Sequence, residues 1–563
     1  MLEAEGQPRP RGDAAEPKSA GNLALGLALL LAAWLVFFGL GASDLQNRDE
    51  ARHALIAENV LTTGDWLTLH LDGQPYFNKP PLRFWLSAVA FRICGVNALC
   101  ARFWSAVFAI AAVGLTGLIG RRLYGPAAGA WSALVLATTP LFLHVHCARS
   151  GETDSLLLAC LALAAWLGLR AAARPRDAVL AGVAAGLCGL TKHLGFVPVA
   201  LILVAAAAET GRRGAAGGVV LRATLAAAAV ALPWHALMAL RHGGEFLQAY
   251  FGRELAQRAF APPAASRGPL YVVQTLKDGF WPWAALAPWG ALGALSVLRR
   301  AKRAAPDVLP LAWLSLLFTL VVIARVKLPW YALPLLPPLA LLTGRALARP
   351  APAPGRDWTW PAWAGTGLLL LTSPVAWTDW APSTLPALDA MPRVDLLGLL
   401  QGAAAAGRGL LPALCGLGAA SLAALAAGRG VPRGARLAKA WRQGAAIGLA
   451  VTALGLAAAP LRFAARPSPL AVLTARAAAL CPGDTLLTVI DPPSAPRDDR
   501  LSWLLRRQRL AARRLPSTTP PPDLGPTSLV LGLTGTPAGR PPDGAAVLGQ
   551  AGEFILYRRP APQ

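Results

Sequence analysis

Acidic and basic side chains gather at a few places in an otherwise apolar sequence, in types that can move protons and hold phosphate. Asp49, Glu50 and Arg52 fall together in the stretch SDLQNRDEARHALIAENVLTTGDW. Adjacent carboxylates beside a cation suit a general base or a divalent-ion ligand. Lys79 stands in PYFNKPPLRFW between Asn78 and the Pro80–Pro81 pair, which restricts the backbone around it. Arg149, Glu152 and Asp154 lie in CARSGETDSLLL, and Lys192 and His193 in GLTKHLGF. Arg253, Glu254, Gln257 and Arg258 lie in YFGRELAQRAF, with Glu254 and Arg258 at the i,i+4 spacing of a helical ion pair. Arg325 and Lys327 precede a proline-rich run that contains Pro329, Pro334, Pro337 and Pro338. Each group also has a plain local explanation. Asp49 and Asp154 suit helix N-termini, Lys79 and Lys192 can snorkel at a membrane surface, and Glu254 can pair with Arg258.

The elements that must position these groups are membrane spans. The chain has 563 residues, of which 55% are hydrophobic and only 15% charged, and its mean hydropathy is +0.47. A soluble domain carries about 25% charged residues. The apolar residues come in blocks of roughly the length that crosses a bilayer. The expected spans are 22–42, 102–120, 127–146, 155–170, 178–191, 194–208, 219–240, 280–298, 308–324, 328–346, 358–375, 410–427 and 444–460. The fold class is therefore an all-α polytopic bundle of about 13 transmembrane helices. Residues 1–21 read as a disordered cytoplasmic tail, 22–460 as the membrane domain and 461–563 as an external C-terminal domain. In that last part, TLLTVI, SLVLGL and EFILY look like strands of a small α/β unit. Two external loops, 43–101 and 241–279, break the run of spans. Within the first, 51–61 has helical spacing, and 82–97 reads as an interfacial helix carrying Arg83 and Arg92.

Charge fixes the orientation. With the N-terminus inside, the loops at 121–122, 170–176, 212–213, 299–303, 345–356 and 429–442 are cytoplasmic, and all are basic. The net charge of +24 is explained by this asymmetry, and scattered loop cations argue against nucleic-acid binding. Arg52, Lys79, Arg149, Lys192, Arg258, Arg325 and Lys327 fall on the other face, against the trend. Asp49, Glu50, Asp154 and Glu254 share that side. Cations near the lipid surface suit a phosphate headgroup. Carboxylates in the same cavity suit a base or a metal, and cations can stabilise a departing phosphate. A lipid transporter or flippase would also need many helices and buried charge. The one-sided charge and the lack of repeated halves argue against it. The ordered charged motifs argue against a scaffold protein. The seven Cys show no metal spacing and no disulfide framework.

The order of motifs resembles bacterial polyprenyl-phosphate-dependent glycosyltransferases of the GT-C class, which include aminoarabinose transferases and protein O-mannosyltransferase-like enzymes. Their pattern is Asp-Glu-x-Arg-Tyr/His-Ala, then Thr/Ser-Gly-Asp-Trp, then Tyr-Phe-x-Lys-Pro-Pro, and all three occur here in order. ARSGETDSLL, GLTKHLG, RELAQR and VKLPWYALPLLPPLALL resemble later segments of the same enzymes, so the likeness runs over 22–346. His193–Leu194 departs from the Gly-Pro of the pattern. The resemblance implies catalytic carboxylates at Asp49, Glu50 and Asp154. It implies donor-phosphate contacts from Arg52 and Lys79, with Arg149, Lys192, Arg258 and Lys327 as further basic candidates. The cofactor expectation is at most a divalent ion, held by Asp49, Asp154 and Glu254. The implied partners are a polyprenyl-phosphate-linked sugar, a lipid A-like, glycan or protein acceptor, and membrane lipids. The implied location is the inner membrane, with the active site on the periplasmic face.

Overall fold

A computed structural model of the chain describes residues 18–45, 49–171, 173–192, 196–210, 213–257, 270–300, 306–324 and 326–348. In the C-terminal part it describes 469–480, 487–490, 499–508, 512–515, 529–533, 545–551 and 554–558, with a few isolated positions. The expected spans at 358–375 and 410–427, and nearly all of 444–460, lie outside these residues.

The molecule is mostly helical; besides the helices described below it contains α9 (Phe196–Thr210), α11 (Leu270–Gly279), α12 (Ala287–Arg300), α13 (Val308–Ile323) and α14 (Leu336–Ala348). Helix α1 (Lys18–Phe37) shows why these segments suit a membrane. Leu25, Ala28, Ala32 and Leu35 are buried at helical spacing against the bundle. On the opposite face Leu23, Leu27, Leu30 and Trp34 are exposed. An apolar outer stripe like this is at home in lipid, where only the backbone must be satisfied internally. Among the described residues, five helices are long and apolar enough to cross a membrane: Ser19–Phe37, Ala98–Tyr124, Asp154–Ala171, Ala216–Arg253 and Pro329–Ala348.

Several expected spans are interrupted or longer than hydropathy suggested. The block at 127–146 divides into α5 (Pro126–Ala137) and α6 (Pro140–His144). Pro140 has no N–H to donate and holds Thr139 extended, so the helix stops and restarts there. The block at 280–298 becomes a 3-10 turn at Trp283–Ala285 followed by a helix at Ala287–Arg300. Pro282 lies immediately before that turn. The block at 219–240 belongs to a longer helix, α10 (Arg213–Leu247), which kinks at Gly243 with φ +53° and runs on into a π-helical turn at Gln248–Gln257. Part of the expected loop 241–279 is therefore helical. Polarity ended the hydropathy signal at Arg241, but polarity alone does not end a helix.

Small residues let the central helices approach closely. A Cβ placed on Gly129 of α5 would lie 2.6 Å from the carbonyl of Gly117 in α4 (Ala98–Tyr124).

The stretch expected as the first external loop contains two helices, α2 (Asp49–Thr63) and α3 (Leu82–Cys94). A hairpin of β1 (His70–Leu71) and β2 (Gln74–Pro75) stands between them. Its turn uses Asp72 and Gly73, both at positive φ. After Gly95, Asn97 caps α4 by accepting the N–H of Cys100 at 2.9 Å. Cys94 and Cys100 are joined by a disulfide, which corrects the expectation of unpaired cysteines. A six-residue separation carries no metal or disulfide signature by itself; the tight corner between α3 and α4 brings the two together.

The C-terminal part contains α15 (Pro469–Leu480), α16 (Asp499–Arg507) and a five-stranded sheet of order β4-β3-β5-β7-β6. The strands are β3 (Leu487–Ile490), β4 (Ala512–Leu515), β5 (Leu529–Leu533), β6 (Ala546–Ala551) and β7 (Phe554–Arg558). β3, β5 and β7 are the three runs read as strands from the sequence. Strands β4 and β6 are additions: ARRL is polar, and AVLGQA is too weakly patterned to announce itself. Leu501, Trp503, Leu504 and Leu529 share one core with Ala51, Leu55 and Phe91, so this part rests on α2 and α3.

A buried ion pair fixes the start of α2 to the bundle. Arg102 of α4 donates from Nε and Nη2 to the two oxygens of Glu50, at 2.7 and 3.0 Å. Its other bonds go to the carbonyls of Leu40, Ser43 and Asp44, just past α1. Glu50 also accepts the N–H of Gly151 at 2.7 Å. Arg83, expected at a membrane surface, is instead buried and donates to the carbonyls of Glu152 and Ala101 at 3.0 and 2.6 Å.

Two expected outcomes follow from this packing, both read by thermal unfolding in detergent. Arg102→Met leaves Glu50 buried without its guanidinium and lowers stability by about 3–5 kcal/mol; an unchanged midpoint would contradict the clamp. Gly129→Leu costs about 1–3 kcal/mol by overpacking. Gly217→Leu, with open space around its Cβ position, leaves the midpoint near wild type. Equal melting of these two glycine variants would contradict the close approach.

Candidate active site

The site forms where the start of α2, the segment 76–81 and the connector 145–154 meet. Residues 46–48 are outside the described region, and α2 starts directly at Asp49. Its first turn presents two carboxylates, which a helix dipole favours. Successive helical residues point about 100° apart, so the two diverge. Glu50 turns inward to Arg102. Asp49 stays about a quarter exposed and faces two cations: Arg52 Nη1 is 3.3 Å from Oδ1, and Lys79 Nζ is 3.7 Å from Oδ2.

Burial opposes ionisation of Asp49, but Lys79 foremost, with help from Arg52, outweighs it and holds the carboxyl well below its ordinary range. Burial likewise opposes the charge on Lys79, and Asp49 more than compensates, raising the ammonium above its ordinary value. The pair is therefore ionised across neutral pH.

Behind Asp49 lies a second, buried layer. Glu152 Oε2 stands 3.2 Å from His53 Nδ1 and 3.6 Å from His146 Nδ1. Burial, with the neighbouring Asp49 carboxylate, pushes the Glu152 carboxyl well upward. Burial, then Lys79, pushes His53 well downward, so its imidazole is neutral. His146 sits at φ +55° and stacks on Trp330, with ring centroids 3.8 Å apart. Asp154, the first residue of α7 (Asp154–Ala171), pairs through Oδ1 with Lys192 Nζ at 2.6 Å, and its Oδ2 is 3.9 Å from His146. Lys192 follows α8 (Pro175–Gly189).

Thus Asp49, Arg52, Lys79, Asp154 and Lys192 come together as one charged pocket. The other expected members are placed differently. Arg149 donates Nη1 to the carbonyls of Leu35 and Val36, both at 2.8 Å, and so caps the C-terminal end of α1. Lys327 donates to the Ala324 carbonyl at 2.6 Å. Arg258, Arg325 and His193 lie outside the described residues, as does the side chain of Glu254.

One ligand atom each from Asp49, His146 and Glu152 lies within 4.8 Å of the others. Apart from the two imidazoles beside it, Glu152 Oε2 has no hydrogen-bond partner among the described residues, so a divalent ion fits the donor set. This trio shares Asp49 with the expected set and has His146 and Glu152 where Asp154 and Glu254 were anticipated.

Sequence reading passed over His53, His146, Arg102 and Asp499. His53 had a signal, standing inside the Asp-Glu-x-Arg-His-Ala run. Asp499 had none: it reaches Arg52 from 447 residues away, with Oδ2 2.8 Å from Nη2 and 3.0 Å from Nε.

Comparison with known proteins adds to this geometry. The family described as dolichyl-phosphate-mannose-protein mannosyltransferase matches residues 78–236. An undecaprenyl phosphate-α-4-amino-4-deoxy-L-arabinose arabinosyl transferase of Pseudomonas fluorescens is 32% identical over 331 residues, 57% of this chain and 56% of that protein. One from Pseudomonas aeruginosa is 33% identical over 343 residues, 57% and 59% of the two chains. The matched region thus spans under two thirds of these relatives. Among solved structures, ArnT from Cupriavidus metallidurans bound to undecaprenyl phosphate superposes with a TM-score of 0.68, covering 97% of this chain and all of that one at 22% identity. The apo oligosaccharyltransferase of Archaeoglobus fulgidus gives 0.50, covering 87% of this chain and 64% of that one at 13% identity. These likenesses concern the fold. In sequence over part of its length and in fold over nearly all of it, the chain is thus similar to the aminoarabinose transferases.

Proposed function

We propose that this protein is an inverting membrane glycosyltransferase that moves a sugar from a polyprenyl-phosphate donor to an acceptor hydroxyl on the periplasmic face. The observation that carries this reading is Asp49, an ionised and part-exposed carboxylate at a helix N-terminus, with Lys79 3.7 Å and Arg52 3.3 Å away. In this reading the bundle has about 13 spans, a cytoplasmic tail at 1–21, a membrane domain at 22–460 and an external unit at 461–563. The protein resides in the inner membrane, with α2 and α3 lying at its outer surface.

The mechanism follows from charge. Lys79 and Arg52 take the donor phosphate, with Lys192 as a further cation behind Asp154. A phosphate arriving there competes with Asp49 for both cations. Asp49 then loses their stabilisation and becomes the stronger base when the donor is bound. It accepts the proton of the acceptor hydroxyl, whose oxygen attacks the anomeric carbon from the face opposite the phosphate. The bond from that carbon to the phosphate oxygen breaks, and its electron pair leaves with the phosphate, which the cations stabilise. Glu50 does not reach this chemistry; through Arg102 it holds the helix that carries Asp49. A divalent ion on Asp49, His146 and Glu152 would supply further positive charge for the leaving group.

The relatives' names make undecaprenyl-phosphate aminoarabinose the first donor to try, and the motif resemblance makes a lipid A-like molecule the first acceptor. The test uses purified wild type and Asp49→Asn with radiolabelled polyprenyl-phosphate sugars and a membrane-lipid extract, with and without chelator. Wild type transfers label, and Asp49→Asn loses on the order of 10²–10⁴ in rate with donor binding retained. Near-wild-type transfer by Asp49→Asn would refute the assignment.

A further inference from the structure

We propose that Asp499, in the C-terminal unit, is a positioning residue for the transfer reaction: it holds the Arg52 guanidinium by its Nε–Nη2 edge and leaves Nη1 facing Asp49 and the donor phosphate. This rests on the glycosyltransferase reading above. The geometry is direct. Asp499 Oδ2 lies 3.0 Å from Nε and 2.8 Å from Nη2, while Nη1 is 3.3 Å from Asp49 Oδ1. The Asp499 side chain is 1% exposed and that of Arg52 is 27% exposed. The fixed partner is thus the residue of the C-terminal helix, and the arginine is the group that can meet a ligand.

A guanidinium with a single carboxylate neighbour tends to close a two-bond fork on it. Without Asp499, Arg52 would turn its fork onto Asp49. That contact would neutralise the base and withdraw the cation from the phosphate. Asp499 prevents it by occupying the other edge. Its own place is secured by contacts that do not involve Arg52. Trp503 packs on Phe91 at 6.1 Å between ring centroids, and Arg506 donates to Glu58 and Asn59, both at 3.1 Å. Leu501, Leu504 and Leu505 are buried in the core shared with α2. Helix α16 therefore arrives as a docked element, and Asp499 at its first turn is aimed at Arg52 by that docking. The C-terminal unit is in this account a structural half of the active site.

The test is a double-mutant cycle on the full-length protein in detergent, comparing wild type, Asp499→Asn, Arg52→Ala and the double variant. Turnover of undecaprenyl-phosphate aminoarabinose and equilibrium binding of undecaprenyl phosphate are both measured, with thermal unfolding alongside. Asp499→Asn keeps the shape and removes the charge. It is expected to lower kcat/KM by about tenfold, and Asp499→Glu recovers part of that loss. In the Arg52→Ala background, Asp499→Asn has no further effect. Losses that multiply would overturn the proposal. So would a loss that matches the fall in thermal midpoint along the same line as Trp503→Ala, a docking variant. Absence of turnover by wild type would defeat the glycosyltransferase reading alone. The binding cycle would then decide: non-additive affinities support the positioning role, and additive ones overturn it. Wild type that neither transfers from nor binds a polyprenyl phosphate overturns both.

Discussion

Glu50 and Arg102 meet face to face out of reach of water, and the placement of α2 against the bundle depends on that contact. A buried charge without its counter-charge is very costly, so neither side chain has an alternative place in the folded protein. Arg102 spends its remaining donors on the chain leaving α1, and Glu50 accepts from Gly151. One ion pair thereby gathers the end of the first span, the start of α2 and the connector before α7. Each piece of the charged pocket belongs to one of these segments or packs on one.

Two neighbouring carboxylates consequently do unlike things. Asp49 and Glu50 differ by one residue, and one helical step sends the second into the protein and leaves the first at the pocket. The electrostatics of the pocket is a balance of near neighbours. Asp49 is satisfied by Lys79 and Arg52, Arg52 also by Asp499, and Asp154 by Lys192. Lys79, Arg52 and Lys192 are therefore each already engaged by a carboxylate that a phosphate can displace. Such an arrangement keeps the charges ionised and aimed without a ligand, at little reorganisation cost when one arrives.

Much of this was legible in the sequence because it is local. The run from Asp49 to Lys79 carries its own helix start and proline brackets, and α2 and α3 follow from them, whereas the short hairpin at Asp72–Gly73 was read only as loop. Hydropathy located the bundle, and the three strongest β runs became β3, β5 and β7. It failed where backbone chemistry overrides polarity, as at Thr139–Pro140 and along α10 past Arg241. Side-chain partners were legible only in part. Arg149 looked like a phosphate ligand because it defied the charge bias, yet its guanidinium caps α1. Asp499 and the Cys94–Cys100 bond depend on tertiary approach, for which no spacing rule exists. His146 and Glu152 enter the pocket only because the connector folds back under α2.

The central claim is that the donor's phosphate sits between Lys79 and Arg52, beside Asp49. A cryo-electron microscopy structure of the protein in nanodiscs with undecaprenyl phosphate tests it most directly. The account predicts phosphate density within hydrogen-bonding reach of Lys79 Nζ and the Arg52 guanidinium, with the Asp49 carboxylate released from Lys79 and turned to the side where the sugar would lie. Lipid phosphate bound elsewhere, with the Asp49–Lys79 contact intact, would contradict it.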